Sequence, residues 1–320
     1  MTRTQPLTLR AKSLRFLAPA CALIAAALLP LHAQLPSQPV PQTTPLQQAQ
    51  ALADSGQFPQ AEALTRTYLH THDNSASAHY LLAFCLFRED KPVPSLSEYT
   101  RAAALQAPTA AQLRIVALDY VLANDYVDAD KWMSKVVAWA PQDGESWYDL
   151  GRIQYTENRF ADAIASFEHA LTLMPHSVKA ENNLGLAYEG LDRTSDALAA
   201  YRQALAWQAN APHPNAQPFL NLGTLLLDQN QPALALHALE QAAAITPDDA
   251  KLCMVLGKAY TRTGNLPRAQ AAFAHAVALS PKTAAYHFLL GQAYRKTGQD
   301  ALAKAQFAQA AALDGSHSSK

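Results

Sequence analysis

The residues best suited to metal or acid–base chemistry lie near residue 75 of this 320-residue chain. His70, His72 and His79 fall within one short stretch, with Asp73 between them. Imidazole and carboxylate groups are ligands for zinc and other divalent metals, so these side chains could bind one ion. The competing interpretation, which we favour, is a chance cluster of histidines on a surface loop.

No established catalytic pattern is present in the sequence. It contains no G-x-S-x-G, H-E-x-x-H, C-x-x-C or phosphate-binding G-x4-G-K-[ST] motif. We therefore expect a protein that is not an enzyme and holds no cofactor. A metal-binding or enzymatic protein that uses His70, His72 and His79 stays open as an alternative, and its test is a metal assay on the purified chain.

A 34-residue period runs through the chain and slips by four residues once, after residue 211. Three columns of positions keep this period over eight units, which excludes chance. The first column contains only Gly or Ala: Ala49, Ala83, Ala117, Gly151, Gly185, Gly223, Gly257 and Gly291. The second contains small residues: Ala61, Ser95, Ala129, Ala163, Ala197, Ala235, Ala269 and Ala303. The third contains Gly, Asp or Asn: Gly56, Asp90, Asn124, Asn158, Asp192, Asn230, Gly264 and Gly298.

Each column has a physical role in a pair of antiparallel helices, which we call helix A and helix B. Small residues in the first two columns let the helix axes approach to about 8–10 Å. Gly, Asn and Asp tolerate the left-handed backbone just past a helix end, so the third column ends helix A. The period therefore predicts eight helix–turn–helix units and no strands.

The unit from Gly144 to Ser177 resembles the tetratricopeptide repeat (TPR) family. Its Trp147, Leu150, Gly151, Ala163 and Phe167 have the spacing of W-x2-L-G, then A-x3-F. The resemblance implies an all-α fold, a right-handed α-solenoid of eight TPR units. We place the units at 42–75, 76–109, 110–143, 144–177, 178–211, 216–249, 250–283 and 284–317, with a loop insertion at 212–215.

The N-terminus indicates export. Residues 1–33 combine four basic side chains with an apolar run from Phe16 to Leu31, as in a secretory signal peptide, and we expect cleavage near Ala33. An uncleaved anchor, or a lipoprotein modified at Cys21, are the alternatives. Residues 34–45 hold four prolines and no charge, and we interpret them as a linker. We expect the protein in the periplasm or outer cell envelope, with secretion also open.

Charge argues against nucleic acid as the main partner. Residues 1–33 contain four of the 25 Lys and Arg and none of the 26 Asp and Glu, so the rest has a net charge of −5. Nucleic-acid binding would call for a basic face. We expect protein or peptide partners, no nucleic acid, and membrane contact only through an uncleaved signal segment.

The resemblance also implies where a partner binds: a concave groove lined by helices A. Aromatic side chains would anchor apolar groups, asparagines would bind a peptide backbone, and basic residues would bind an acidic stretch or a terminal carboxylate. The residues predicted to bind are Tyr80, Phe84, Tyr148, Tyr155, Asn183, Asn221, Lys258, Arg262 and Arg295.

These features together predict an exported TPR scaffold that binds peptides or proteins, in cell-envelope assembly or maintenance. A second alternative is a self-assembling structural protein, because TPR arrays usually end in a solvating helix and the last unit here shows none in the sequence. The identity of the partner, the pathway and the oligomeric state stay open.

Overall fold

The computed structural model describes residues 43–317, with side chains up to Asp314. The described residues form sixteen α-helices and no strand. The predicted signal peptide and residues 34–42 of the predicted linker lie outside them. The first helix is preceded by Thr44, whose side chain accepts a hydrogen bond from the Gln47 amide, so the helix begins at Pro45, the last linker position.

The helices alternate between A and B along the chain. Their bounds are α1 Pro45–Asp54, α2 Phe58–Leu69, α3 Ala76–Arg88, α4 Pro92–Leu105, α5 Ala110–Leu122, α6 Tyr126–Trp139, α7 Gly144–Thr156, α8 Phe160–Leu173, α9 Val178–Gly190, α10 Thr194–Trp207, α11 Gln217–Asp228, α12 Pro232–Ile245, α13 Ala250–Arg262, α14 Leu266–Leu279, α15 Ala284–Lys296 and α16 Asp300–His317. Each helix contacts its neighbours in sequence, which confirms an all-α repeat solenoid.

The turn inside each unit has the left-handed backbone that the third column predicts. All eight residues of that column have a positive φ, from 55° at Asn230 to 81° at Gly264. Gly, Asn and Asp are the residues that adopt this conformation at least cost. The loop between α8 and α9 contains one further positive φ, 65° at His176, which the repeat pattern does not require.

Glycine in the first column is explained by a close approach within the hairpin. A Cβ atom on Gly151 would lie 2.6 Å from the ring of Phe167, and one on Gly185 would lie 2.5 Å from the ring of Tyr201. Both rings are fully buried. The absence of a side chain on helix A therefore makes room for a large side chain on helix B, as the first column implies.

A hydrogen bond recurs between units, from the fourth place of a unit to the carbonyl group six residues earlier. Trp147 Nε1 donates to the Pro141 carbonyl at 3.0 Å, and the Cys253 thiol reaches the Pro247 carbonyl at 3.5 Å. His79 and His287 make the same contact with Asp73 and Pro281. In four of the eight units the family's tryptophan place is thus filled by a side chain that can make this bond.

The four-residue insertion between α10 and α11 is fixed by one buried amide. The Gln208 side chain donates to the Asn215 carbonyl and accepts from the Asn215 amide, both at 2.8 Å. These are the bonds that a backbone partner would make, so Gln208 closes the insertion and keeps the repeat register.

Helices A form the inner side of the solenoid. Helix A contacts helix A of the next unit in the pairs α1–α3, α3–α5, α7–α9, α9–α11 and α11–α13, whereas no comparable contact joins two helices B in the described range. The face on which like helices approach one another is the concave one. Within residues 43–317 no helix is long and apolar enough to cross a membrane.

Candidate binding groove

One cavity opens on helices A at the N-terminal end of the inner surface, and we call it the aromatic cavity. Its volume is about 410 Å³. It is lined by Gln50, Ser77, Tyr80, Leu81, Phe84, Tyr99, Ala111, Gln112 and Ile115, from α1, α3, α4 and α5. Two of the predicted binding residues, Tyr80 and Phe84, therefore line one site.

Both aromatic side chains are held in place by neighbours. The Tyr80 hydroxyl donates to the Gln106 carbonyl at 2.7 Å, and its ring lies 5.9 Å from that of Tyr99. Burial raises the pKa of Tyr80, so its hydroxyl stays a neutral donor. Phe84 meets Phe58 edge-on at 6.0 Å. Rings fixed in this way present apolar surface to a ligand at little entropic cost.

The middle of the inner surface is occupied by bonds between consecutive helices A. The Asn183 side-chain amide donates to the Lys179 carbonyl at 2.8 Å and to the Tyr148 hydroxyl at 3.1 Å. Lys179 also reaches Glu145, at 2.5 Å, and lies over the Tyr148 ring. Tyr148 and Asn183, both predicted to bind a partner, thus lie together on the inner surface and bind each other.

Asn221 is enclosed by protein partners. It is 7% exposed, its amide donates to Asn182 Oδ1 at 2.9 Å, and its own oxygen accepts from Gln217 at 2.8 Å. Both ends of the side chain that we expected to bind a peptide backbone are already bonded. To bind a ligand, Asn221 would have to break these bonds. Asn183 and Asn221 are therefore not two free amides side by side in the groove.

Tyr155 belongs mainly to the hairpin core. Its ring packs edge-on against Phe160 at 5.5 Å, and it joins the apolar cluster around Phe167. Burial, with the nearby Glu189 carboxylate, raises the pKa of Tyr155. The Glu189 carboxylate itself accepts a hydrogen bond from the Tyr201 hydroxyl, so this part of the inner surface is also internally bonded.

A second cavity opens at the C-terminal end of the inner surface, and we call it the basic cavity. Its volume is about 390 Å³. It is lined by Thr224, Leu227, Asp228, Val255, Lys258, Thr261, Arg262, Phe273, Leu289, Gln292, Ala293 and Lys296, from α11, α13, α14 and α15. Lys258 and Arg262 were predicted here. Arg295 is not part of the lining and instead lies over the Phe307 ring, 5.5 Å from its centroid.

The histidine cluster does not form a ligand set. His79 is 6% exposed, and its two ring nitrogens contact Glu98 Oε2 at 2.6 Å and the Asp73 carbonyl at 2.8 Å. His72 stacks on the Tyr68 ring. Over the described residues no group of three or more His, Cys, Asp or Glu side chains could hold a metal ion. The geometry therefore gives the metal alternative no site at His70, His72 and His79.

One thiol lies beside a possible base. Cys253 Sγ is 3.5 Å from His275 Nδ1, and His275 Nε2 is 3.2 Å from Asp248. Nucleophilic cysteines have a lowered pKa and solvent access. Burial and the Asp249 and Asp248 carboxylates instead raise the pKa of Cys253, which is 5% exposed. The contacts Cys253–His275–Asp248 follow the order of a catalytic triad, but the raised pKa and the burial of the thiol do not fit a nucleophile.

The repeat columns missed one buried acid. Asp119 is fully buried on α5, and one of its oxygens, Oδ1, has no hydrogen-bond partner. The other lies 2.5 Å from Ser95 Oγ, which lies 2.9 Å from the Ala83 carbonyl. Burial raises the pKa of Asp119 to about 7. The signal in the sequence was an Asp within the otherwise apolar residues 115–122, together with the one Ser of the second column.

The sequence matches family models that are each described as tetratricopeptide repeat. The matched residues are 46–112, 144–177, 177–248, 226–292 and 284–317. Residues 113–143, which carry Asp119, lie between the first two of these ranges. No curated protein matches the chain.

Solved structures share the fold at low identity. A chain of the APC/C hetero-tetramer Cut9–Hcn1 is 19% identical with a TM-score of 0.59 over 84% of this chain, which spans only 52% of that one. A tetratricopeptide repeat protein from Parabacteroides merdae is 15% identical with a TM-score of 0.62, over 78% of this chain and 97% of that one. PilW, a type IV pilus biogenesis factor, is 24% identical with a TM-score of 0.57, over 62% of this chain and 91% of that one. With its eight hairpins, their left-handed turns and these matches, the chain belongs to the tetratricopeptide repeat family.

Proposed function

We propose that this protein is a scaffold that holds a segment of a partner protein along helices A, in assembly or maintenance of the cell envelope. The observation that carries the proposal is the pair of cavities on the inner surface, one aromatic and one basic. Both are lined mainly by side chains of helices A. A TPR array is a rigid frame of this kind, and its binding chemistry resides in the groove side chains.

Hydrogen bonds between helices A occupy the middle of the inner surface. The polar groups of Tyr148, Asn183 and Asn221 are bonded to one another or to neighbouring helices. A partner segment is therefore anchored at the two ends of the groove. Helices A repeat at about 10 Å, so the five steps from α3 to α13 span roughly 50 Å. About 15 residues of extended chain cover that distance.

The envelope part of the proposal is supported by the N-terminal sequence. A basic start, a short apolar run from Phe16 to Leu31 and the small residue Ala33 after it are typical of a signal peptide. PilW, which shares the fold, serves in type IV pilus biogenesis. We propose envelope assembly as the class of process for this chain too. Fractionation of cells with an antibody to the chain checks this, and recovery in the cytosol alone would contradict it.

Site-specific photocrosslinking tests the groove. A photoreactive phenylalanine derivative replaces Ser77, exposed in the aromatic cavity, or Gln292, half-buried in the basic cavity. The matched controls are Val127 on α6 and Leu234 on α12, which are 73% and 56% exposed on helices B. We expect recurrent adducts with one partner segment from the two inner positions and none from the outer ones. Equal adducts from both faces would contradict the groove.

Self-association is a second candidate, favoured by one observation on the last unit. Phe307 is half-buried, whereas its equivalents Phe167 and Phe273 are 0% and 2% exposed, because each of those is covered by the next helix A. A second copy could cover α16. Light scattering between micromolar and millimolar concentration tests this: a constant monomer mass would exclude it.

A further inference from the structure

Positive charge is concentrated in one part of the chain. Residues 250–299 contain seven Lys and Arg and no Asp or Glu, although the chain as a whole has a net charge of −1. This stretch comprises α13, α14 and α15. A local excess of one sign that the overall composition does not share indicates a partner of the opposite sign.

The cations of the basic cavity are available to a ligand. Before residue 250, most described Lys and Arg are ion-paired, as Arg114 is with Asp149 and Arg159 with Asp162. From residue 250 to 314, only Arg268 among the described cations has such a pair. Lys258, Arg262 and Lys296 have no carboxylate oxygen within 4.0 Å in the described part of the chain. These three cations therefore line the cavity without an ion-pair partner.

The spacing of these cations fits an extended segment. Lys258 and Arg262 are four residues apart, so they share one face of α13. Arg262 and Lys296 are 34 residues apart, the same place in consecutive units, so about 10 Å separates their helices. Arg262 is fixed because its guanidinium donates to the Leu227 carbonyl at the end of α11. In a polyproline II segment, residues three apart lie on one side about 9 Å apart.

The rest of the lining provides an apolar wall and one carboxylate that favours one position of an acidic ligand over another. Leu227, Val255 and Leu289 give the cavity an apolar wall that could receive one aliphatic or aromatic side chain. Asp228 is the one carboxylate of the lining, at the α11 side. It repels an acidic ligand there, which directs carboxylates toward α13 and α15. The cavity therefore has its positive charge on α13 and α15, its one negative charge on α11, and an apolar wall between them.

From these relationships we infer that the basic cavity binds an acidic segment of a partner protein, with carboxylates three residues apart and one large apolar side chain between them. The inference rests on the proposed function, in which the inner surface holds a polypeptide. Arg262 and Lys296 bind the two carboxylates, Lys258 adds a second cation on the same face of α13, and the apolar side chain enters between Val255 and Leu289. The aromatic cavity contains none of these cations, so it does not share this preference.

The test is a binding titration of the full chain, followed by fluorescence anisotropy. The probe is a fluorescein-labelled decapeptide with Asp at every third position, Leu between them and Pro as spacer. Its matched control has Asn for each Asp, and a third has Gly for each Leu. A single-stranded oligonucleotide of equal charge serves as the anionic control. The variants are Lys258→Glu with Lys296→Glu, Asp228→Asn, and the control Lys131→Glu on the outer helix α6, whose side chain is 58% exposed.

We expect the acidic peptide to bind at least about tenfold more tightly than the Asn peptide, and to weaken at least about tenfold in the double Glu variant. Lys131→Glu changes affinity less than about twofold, and Asp228→Asn tightens binding by roughly twofold or more, because a repulsive charge is removed. High salt weakens the acidic peptide alone. The Gly peptide binds less tightly than the Leu peptide.

Three outcomes would overturn the inference: equal binding of acidic and Asn peptides, binding that the double variant does not change, and binding of the oligonucleotide as tight as that of the peptide. Failure of every peptide to bind would also overturn it. The proposed function is decided separately, because adducts from Ser77 and Gln292, neither of which is one of the cations, do not depend on peptide charge. Circular dichroism confirms that each exposed-site variant is folded before titration.

Discussion

The Arg114 guanidinium donates two hydrogen bonds to one carboxylate oxygen of Asp149, at 2.6 Å from Nη2 and 2.8 Å from Nε. The two residues are on α5 and α7, helices A of consecutive units. The Asp149 side chain is 7% exposed. Together with the Asn183–Tyr148 and Asn182–Asn221 contacts, this pair ties the middle of the inner surface together. The groove is thus rigid at its centre and open at its ends.

Arg114→Ala should lower the free energy of unfolding by about 2–3 kcal/mol, because it leaves the Asp149 carboxylate buried without its main partner. Burial already raises the pKa of Asp149 above its ordinary value, and Arg114 opposes that rise. The loss should therefore be larger at pH 8 than at pH 5. Urea unfolding at the two pH values measures it.

Lys131→Ala is the matched control for Arg114→Ala. Lys131 pairs with Asp128 at 3.2 Å on an exposed helix face, with 58% and 37% of the side chains exposed. Surface pairs of this kind contribute about 0–1 kcal/mol. Similar losses for Lys131→Ala and Arg114→Ala would show that the inner pair has no special role in stability.

Most of the fold could be predicted from the sequence because TPR contacts are local and periodic. The turn residues from Gly56 to Gly298 follow from which side chains tolerate a left-handed backbone, and all eight adopt it. The side-chain bonds of the groove could not be predicted in this way. Whether Asn221 faces a ligand or Asn182 depends on the approach of two helices 39 residues apart, which no column encodes.

Asp119 was missed for a related reason. The period identifies places that must be small or apolar, and a polar residue at such a place is an exception that the period cannot interpret. Only the structure shows that Asp119 and Ser95, from consecutive units, meet at 2.5 Å. One hydroxyl proton can serve only one of the two oxygens near Ser95, so a protonated Asp119 satisfies both contacts.

Asp119→Asn should remove the loss of stability that ionisation of Asp119 causes as the pH rises. The pKa of Asp119 rises from an ordinary value of 3.8 to about 7 in the fold. Between these values the folded chain binds more protons than the unfolded chain, so this group's contribution is full below pH 4 and is lost as pH rises to about 7. We expect the variant to be more stable than the wild type by about 1–3 kcal/mol at pH 7.5 and to show little difference at pH 4.5.

Urea unfolding at a series of pH values, with the difference between variant and wild type plotted, isolates Asp119 from other titrating groups. The control is Asp128→Asn on the exposed face of α6, which should show no such trend. A difference that is flat from pH 4.5 to 7.5 would mean that Asp119 is already ionised in the fold.

Gly151→Ala should strain the hairpin α7–α8. The added Cβ would lie 2.6 Å from the Phe167 ring, which is fully buried and cannot move without displacing its neighbours. Overpacking of this kind costs about 1–3 kcal/mol, of which the better helix propensity of Ala offsets up to about 1. Phe167→Met in the same chain should make the Ala less harmful, since Met133 fills that place opposite Ala117, and both are fully buried.

A double-mutant cycle over Gly151→Ala and Phe167→Met, measured by thermal unfolding, should give a coupling of about 1 kcal/mol. Additive effects of the two substitutions would show that the glycine is not required by the ring.

Trp147→Phe should lower the free energy of unfolding by about 1 kcal/mol, because the indole donates to the Pro141 carbonyl and phenylalanine cannot. Trp139→Phe is the matched control, since Trp139 is 58% exposed at the end of α6. It should change stability by less than about 0.5 kcal/mol. Equal losses in the two variants, by urea unfolding, would contradict a role for the recurring bond between units.

The most direct measurement of the central claim is the ratio of photocrosslinked adduct at Ser77, on the inner surface, to that at Val127, on the outer one. Both positions are exposed, so they differ in the face of the solenoid and not in access to the probe. A partner segment held along helices A predicts strong adducts at Ser77 and only background at Val127. Adducts of equal yield at both positions, or at Val127 alone, would contradict a partner-binding groove.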